Sequence, residues 1–541
     1  MGKKRQPLHP DAPLLHPDHP RPVTRRDFLR QGLISGSGIL LGGGLMSLFA
    51  NPREAMALST DILTNIKPAG CRVGQALGPN LPMICFDLAG GAAMAGSNVL
   101  GGGPGGQLDL LSTAGYSLMG IPGDLLPETP TMNNISDQLG LLFHADSQFL
   151  AGMVEKAGAA LPNINGVMIA ARSDNDTGNN PHNPMYAIAE AFRTDYRVNP
   201  AGTDGGVVSL IGSRNSDSGG NSMAPLRFIN AERRPAKVDR PSDVTGMVDI
   251  GNLTAILDKD DVVAAMESMV RLSHAKLGRN IIHPTRDMVI KDLIRCGYIS
   301  AADLAERFGS VNVDPGADPE IVEQTTQPPT ITPIFTAAEW NDGEFRKTAS
   351  VMKMVIDGHA GAGTITMGGY DYHTGDRTTG EARDLRAGRC MGACLDYARR
   401  RGVPLLMYVF SDGSVFSNGT TDGTGKGVWT GDNSGTAGAF MLLYDPNAAG
   451  RPVVNTNQIG WYSRQGAVVT ASSPAANNVN QLVNTVLLNY MSASGMLEAS
   501  TAPFFNIFNQ LGFNHGLGDT ASIDRLTALR PIAPPPPPPG P

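Results

Sequence analysis

Apolar and polar positions change their period along this chain, and the changes divide it. Residues 89 to 130 and 164 to 224 are interrupted by Gly, Asn, Ser and Pro and hold no sustained period, so they are loop-dominated. From Asp260, a capping residue, the apolar residues Val262, Val263, Met266, Met269, Val270 and Leu272 recur at helical spacing through Leu277. A second helix fits Arg286 to Arg295, and Ser300 with Asp303 opens a third in the manner of a capping box. Thr325 to Pro333 is rich in Thr and Pro and reads as a connector, a hinge between two halves of one domain.

Past that connector the two periods alternate. A helix over about Glu344 to Ile356 leads into a β-rich run, Gly363 to Met367, and a long amphipathic helix follows over about Gly380 to Arg401. Pro404 to Phe410 is continuously apolar, the signature of a strand buried on both faces. Ala439 to Tyr444 predicts another strand, Asn478 to Met491 another helix, and Met83 to Leu88 an early strand of the same sheet. Strands alternating with helices of this length predict an α/β fold, a mainly parallel sheet flanked by helices. The prolines from Pro534 to Pro539 predict an extended, solvated tail over residues 531–541.

The first 57 residues follow a different pattern. Thr24-Arg25-Arg26-Asp27-Phe28-Leu29 precedes a weakly apolar, Gly-rich run from Gly32 to Ala50, then Ala55-Met56-Ala57. A charged region, a short apolar region and a small-x-small site describe a removable signal peptide. The paired arginines resemble the twin-arginine export signal, which implies passage of a folded protein through that translocon to the periplasm or exterior. Residues 58–530 then form the working domain, with no integral membrane span after cleavage.

Composition narrows the partners. The formal net charge is −7, and removing the signal takes eight of the 43 basic and four of the 50 acidic residues, leaving −11. Nucleic acid is excluded as an expected partner because no phosphate-neutralising excess of basic residues exists. The same balance argues against docking on anionic lipid. Five cysteines, an odd number, make no disulfide framework. Cys390 and Cys394 share one helix face and either bridge or pack, with packing favoured, and Cys85 packs within its strand.

In parallel sheets chemistry gathers beyond the carboxyl ends of the strands. Here Asp371 and His373 follow one strand, Asp412 follows the next within Ser411-Asp412-Gly413-Ser414, and Asp432 precedes the strand at Ala439. Carboxylate with imidazole suits Zn, Mn or non-haem Fe, and carboxylates alone suit Ca or Mg. These residues are equally ordinary turn formers. Gly101 to Gly106 lacks the Lys-Ser/Thr of a phosphate loop and reads as a flexible surface loop. The similar loops 172–180 and 214–221, each Arg followed by Asp, Asn, Ser and Gly, are plain turns or binders of Ca²⁺ or glycans.

In order along residues 80 to 500 stand Gly90-Gly91, Arg172-Ser173 with His182, Gly369-Tyr370-Asp371-Tyr372-His373, Ser411-Asp412-Gly413-Ser414 and Gly431-Asp432-Asn433. This series resembles an exported bacterial family of unknown function related to the sulfatases and alkaline phosphatases. The resemblance implies an alkaline-phosphatase/sulfatase-like fold in which Asp371 and His373 form one ligand pair for a divalent metal, Asp432 belongs to another, and Asp412 and His182 join the site. It implies a hydrolase of phosphate or related esters acting on a small anionic substrate. Ser97 and Ser173 are the candidate nucleophiles, and Arg172 would hold the anionic group. The chain departs from the family at the late Asp-His, here Asp432-Asn433, at Glu-Phe-Gly-Arg, here Ser411 to Ser414, and after Gly-Gly, where Ala92-Ala93-Met94 stand. The alternative expectation is a non-catalytic descendant, a binding or assembly protein at the cell surface or in the periplasm.

Overall fold

The structure is a computed structural model that describes residues 58–68, 71, 81–173, 181–194, 210–212, 224–230, 235–247, 259–279, 281–282, 285–308, 312–325, 330–375, 377–498 and 500–534. The signal peptide, the proline tail from 535 and most of the loops 172–180 and 214–221 lie outside these residues.

Twelve strands occur among the described residues: β1 Met83–Ala89, β2 Ile135–Leu139, β3 Leu141–His144, β4 Ile164–Ile169, β5 Leu210–Gly212, β6 Ala236–Lys237, β7 Ala362–Gly368, β8 Leu405–Phe410, β9 Val415–Phe416, β10 Gly431–Asp432, β11 Ala439–Tyr444 and β12 Gln458–Ile459. Eight form one sheet in the order β12-β4-β11-β8-β1-β7-β5-β6, and every pairing is parallel except those made by β11. The expected α/β architecture with a mainly parallel sheet flanked by helices is therefore present. β8, the continuously apolar run, and β1, apolar except for Asp87, are buried along their whole length, as strands covered on both faces must be.

Alternation along the strands sends side chains to two cores. One face holds Met83, Cys85, Tyr408, Phe410, Met441 and Val167 against the helices Met185–Thr194, Val479–Ala493, Ala502–Leu511 and Thr520–Leu526. The other presents Phe440 to Phe143 and Phe149, beneath the helices Gln148–Ala157 and Arg377–Arg401. Those two helices approach closely because Gly388 lets them, as a Cβ there would lie 2.3 Å from the Phe149 carbonyl oxygen. Cys85, Cys390 and Cys394 are buried thiols, and burial pushes the Cys390 thiol up to about 12.

Two details differ from expectation. The helices read at 286–295 and from Ser300 are one continuous helix, Asp287–Phe308, because only Gly297 interrupts its periodicity and no proline ends it. Gly101 to Gly103 are buried rather than a flexible loop. The Gln458 side chain accepts from Gly102 N–H (2.9 Å) and donates to its carbonyl (3.0 Å), which fixes that backbone. At the connector, residues 326–329 lie outside the described residues, and its flanks are joined by Phe335 N–H donating to Ile321 O at 2.8 Å.

Among the described residues, those within 58–71 and 259–308 form one compact unit and those within 81–247 and 312–534 another. The smaller unit is a pair of helices, Lys259–Arg279 and Asp287–Phe308, with the segment Ile62–Ile66. A disulfide joins Cys71 to Cys296, a pairing that a separation of 225 residues conceals in sequence. Arg271 pairs with Asp61 at 2.7 Å, and Ser59 N–H donates to Glu267 at 2.7 Å. No helix among the described residues is long and apolar enough to cross a membrane.

Candidate metal centre

The register of the sheet brings the chemical residues to one edge. Ala89 pairs with Gly368 and Asp87 with Phe410, so β1, β7 and β8 end together. β4 runs parallel to β8 through their shared antiparallel neighbour β11, which places Arg172 and Ser173 at the same edge. Because β11 is antiparallel, its first residues lie there too, with Phe440 opposite Val409. The segment leading into β11 therefore carries Asp432 to the carboxyl ends of the other strands.

Three side chains converge. His373 Nε2 lies 2.6 Å from Asp371 Oδ1 and 3.8 Å from Asp432 Oδ1, and one ligand atom from each of the three falls within 4.8 Å of the others. Tetrahedral bonds of about 2.1 Å put ligand atoms about 3.4 Å apart, so the observed spacing surrounds the value a zinc-sized ion requires. Asp371, His373 and Asp432 are 50%, 31% and 41% exposed, which leaves the cluster open to solvent. Three protein ligands with an open position suit a catalytic centre better than a closed structural one.

Local structure holds each of the three side chains. Tyr370 N–H donates to Ala89 O (3.1 Å), pinning the turn after β7 to the end of β1. Gly90 has φ +123° and a Cβ there would lie 2.6 Å from Asp371 N, so glycine is required for this approach. Asp432 sits opposite Val415 in the β9–β10 ladder, and Gly375 N–H donates to Trp429 O (2.6 Å), drawing the His373 turn toward the strand that bears Asp432. Behind the turn, Tyr372 OH accepts from Ala93 N–H (2.9 Å) and donates to Asp384 (3.3 Å), and Asn98 donates to Asp384 at 2.9 Å. Burial pushes the Asp384 carboxyl up to about 7, against the lowering effect of these donors. This support escaped the sequence reading, although an Asp on the buried face of a long helix is a visible signal.

The remaining candidates are placed differently. Asp412 is buried and its Oδ1 accepts from Gly90 N–H at 2.6 Å, so it braces the Gly-Gly turn outside the three-residue group. His182 is also outside that group, stacked on Phe410 with ring centroids 5.7 Å apart, and burial lowers its imidazole to about 3. Its Nε2 lies 3.0 Å from Ser173 Oγ, and Ser173 is 2% exposed. Ser97 is 6% exposed, with its Oγ buried and without a hydrogen-bond partner. Neither serine is presented to solvent. Arg172 is exposed and donates to Ser434 Oγ at 2.9 Å, two residues beyond Asp432. Asn433, at the position where the resembling family has histidine, accepts from Gly435 N–H at 2.6 Å and serves the turn.

The arrangement can hold a cation with two carboxylates and an imidazole, and the Arg172 guanidinium is held at Ser434, two residues past Asp432 in the chain. No protein-family model, curated protein or solved structure matches the chain.

Proposed function

We propose that the protein is an exported, metal-dependent hydrolase of phosphate or related esters, with its centre at Asp371, His373 and Asp432. The observation that carries the reading is the convergence of these three side chains on one open point at the carboxyl edge of the sheet. Zn or Mn suits the mixed donor set better than Ca or Mg, which favour oxygen alone. A bound divalent ion would polarise an ester oxygen and offset the charge that develops on it. Arg172 is the residue in reach of Ser434 that can pair with a small anionic substrate. Since Ser97 and Ser173 are buried, water rather than a side chain is the attacking group in this reading.

Export through the twin-arginine translocon to the periplasm or exterior belongs to the same proposal. Two observations support it. Leu58 and Ile62, just past the small-x-small site, are buried in the fold, so the residues directly after the expected cleavage point belong to the packed domain. The Cys71–Cys296 disulfide suits an oxidising compartment.

The second reading, a non-catalytic binding or assembly protein, is favoured by Asn433, whose side chain caps a turn instead of ligating. Hydrolysis of aryl phosphate and aryl sulfate by protein purified after export separates the two. Turnover abolished by a chelator and by Asp371→Asn supports the hydrolase. Bound metal with no turnover on either ester leaves the non-catalytic reading.

A further inference from the structure

Apolar exposure is concentrated in the smaller unit. Of twelve large apolar residues exposed among the described residues, eight lie between Met269 and Tyr298. The base of the helix pair is packed normally, with Val262, Met266, Val270, Ile299 and Ala302 buried. Its far end is not. Ile281 is 83% exposed, Met288 70% and Leu293 63%, with Leu272 and Val289 exposed beside them. Two consecutive helices joined by a short connection run antiparallel, so residues 272–279 and 287–293 are neighbours and these side chains share one tip.

Charge is concentrated there as well, with the opposite sign to the rest of the chain. Arg271 is paired with Asp61 and Glu267, Lys291 with Asp287 and Arg295 with Asp292, while residues 276–286 hold three Lys or Arg and no Asp or Glu, a local excess of three positive charges in a protein of net −7. Lys276, Arg279 and Arg286 are exposed around the apolar tip. Averaging over the whole chain hides this segment, which is why the overall charge argues against anionic lipid and the local charge argues for it.

We propose that this helical tip docks on an anionic phospholipid surface, its apolar side chains entering the headgroup boundary and its basic rim meeting lipid phosphates. Apolar side chains rimmed by Lys and Arg match the interfacial mode of binding, and the absence of a spanning helix among the described residues fits a hairpin that lies on the surface. A second copy is the poorer occupant, because a two-fold contact would bring one basic rim against another. Such docking would hold the enzyme or binder near membrane-borne anions.

The test is co-sedimentation of the protein purified after export with vesicles of equal parts phosphatidylglycerol and phosphatidylcholine, and with pure phosphatidylcholine. Binding to the anionic vesicles alone, weakened by salt, is expected. Lys276→Glu with Arg279→Glu should lower partitioning by about tenfold or more. Met288→Asp with Leu293→Asp should abolish it, and both variants alter exposed positions, so unchanged melting temperatures confirm folding. Equal binding to both vesicles, binding indifferent to both variants, or no binding overturns the proposal. A concentration-dependent dimer in sedimentation velocity that Met288→Asp with Leu293→Asp dissolves, without vesicle binding, would assign the tip to a second copy.

Discussion

His373 Nε2 stands 2.6 Å from Asp371 Oδ1 because both residues ride on a single turn after β7, with Tyr372 between them anchored inward to Asp384. The pair is thus aimed outward by the burial of its middle residue. Asp432 reaches it from a strand far along the chain, guided by the β9–β10 ladder.

Substituting Gly90 tests that turn. Gly90→Ala places a methyl group 2.6 Å from Asp371 N in a backbone with φ +123°, so the turn must shift. A loss of about 1–3 kcal/mol in unfolding free energy is expected from the strain, with weaker metal binding. Denaturant unfolding and metal titration read the two effects, and a neutral result in both would mean the turn does not hold Asp371.

Stability should respond to pH through two buried groups acting in opposite directions. His182 has its imidazole lowered from 6.5 to about 3 by burial, so its contribution is full above about 6.5 and is lost as pH falls toward 3. Asp384 has its carboxyl raised from 3.8 to about 7 by burial, so its contribution is full below about 3.8 and is lost as pH rises through 7. Each pKa unit corresponds to about 1.4 kcal/mol. Between pH 4 and 6.5 the two slopes oppose and largely cancel in the wild type, so Asp384→Asn should show a melting temperature that falls toward acid and His182→Phe one that falls as pH rises toward 7. Parallel curves for wild type and either variant would contradict the assigned group.

Export is tested at the arginine pair. Arg25→Lys with Arg26→Lys keeps the charge and removes the paired guanidinium groups, and should leave the precursor in the cytoplasm. Fractionation reads the location, and N-terminal sequencing of the exported wild type should begin at Leu58. Undiminished export of the double variant would remove the twin-arginine assignment.

Much of the sheet was legible in sequence for a simple reason. Runs such as Leu405–Phe410 and Ala439–Tyr444 are apolar at every position, and only a strand covered on both faces uses that pattern at that length. The direction of β11 was not legible, since strand sense depends on a crossover that local period does not encode. Asp371, His373 and Asp432 were visible as donors at strand ends, while the separate placement of Asp412 was not. Its carboxylate satisfies the Gly90 N–H, a contact across 322 residues that no local pattern announces. Ser173 and His182 were visible as a motif, but their burial against Phe410 follows from packing.

Metal binding is the most direct measurement of the central claim. Elemental analysis and calorimetric titration of protein purified after export should find one divalent ion per chain. His373→Ala and Asp432→Asn should each lose it. At a hundredfold excess over the dissociation constant the ion stabilises the fold by about 2.7 kcal/mol, so a chelator should lower the melting temperature of the wild type and leave His373→Ala unmoved. Protein without metal, indifferent to added Zn or Mn and to chelator, would contradict the account.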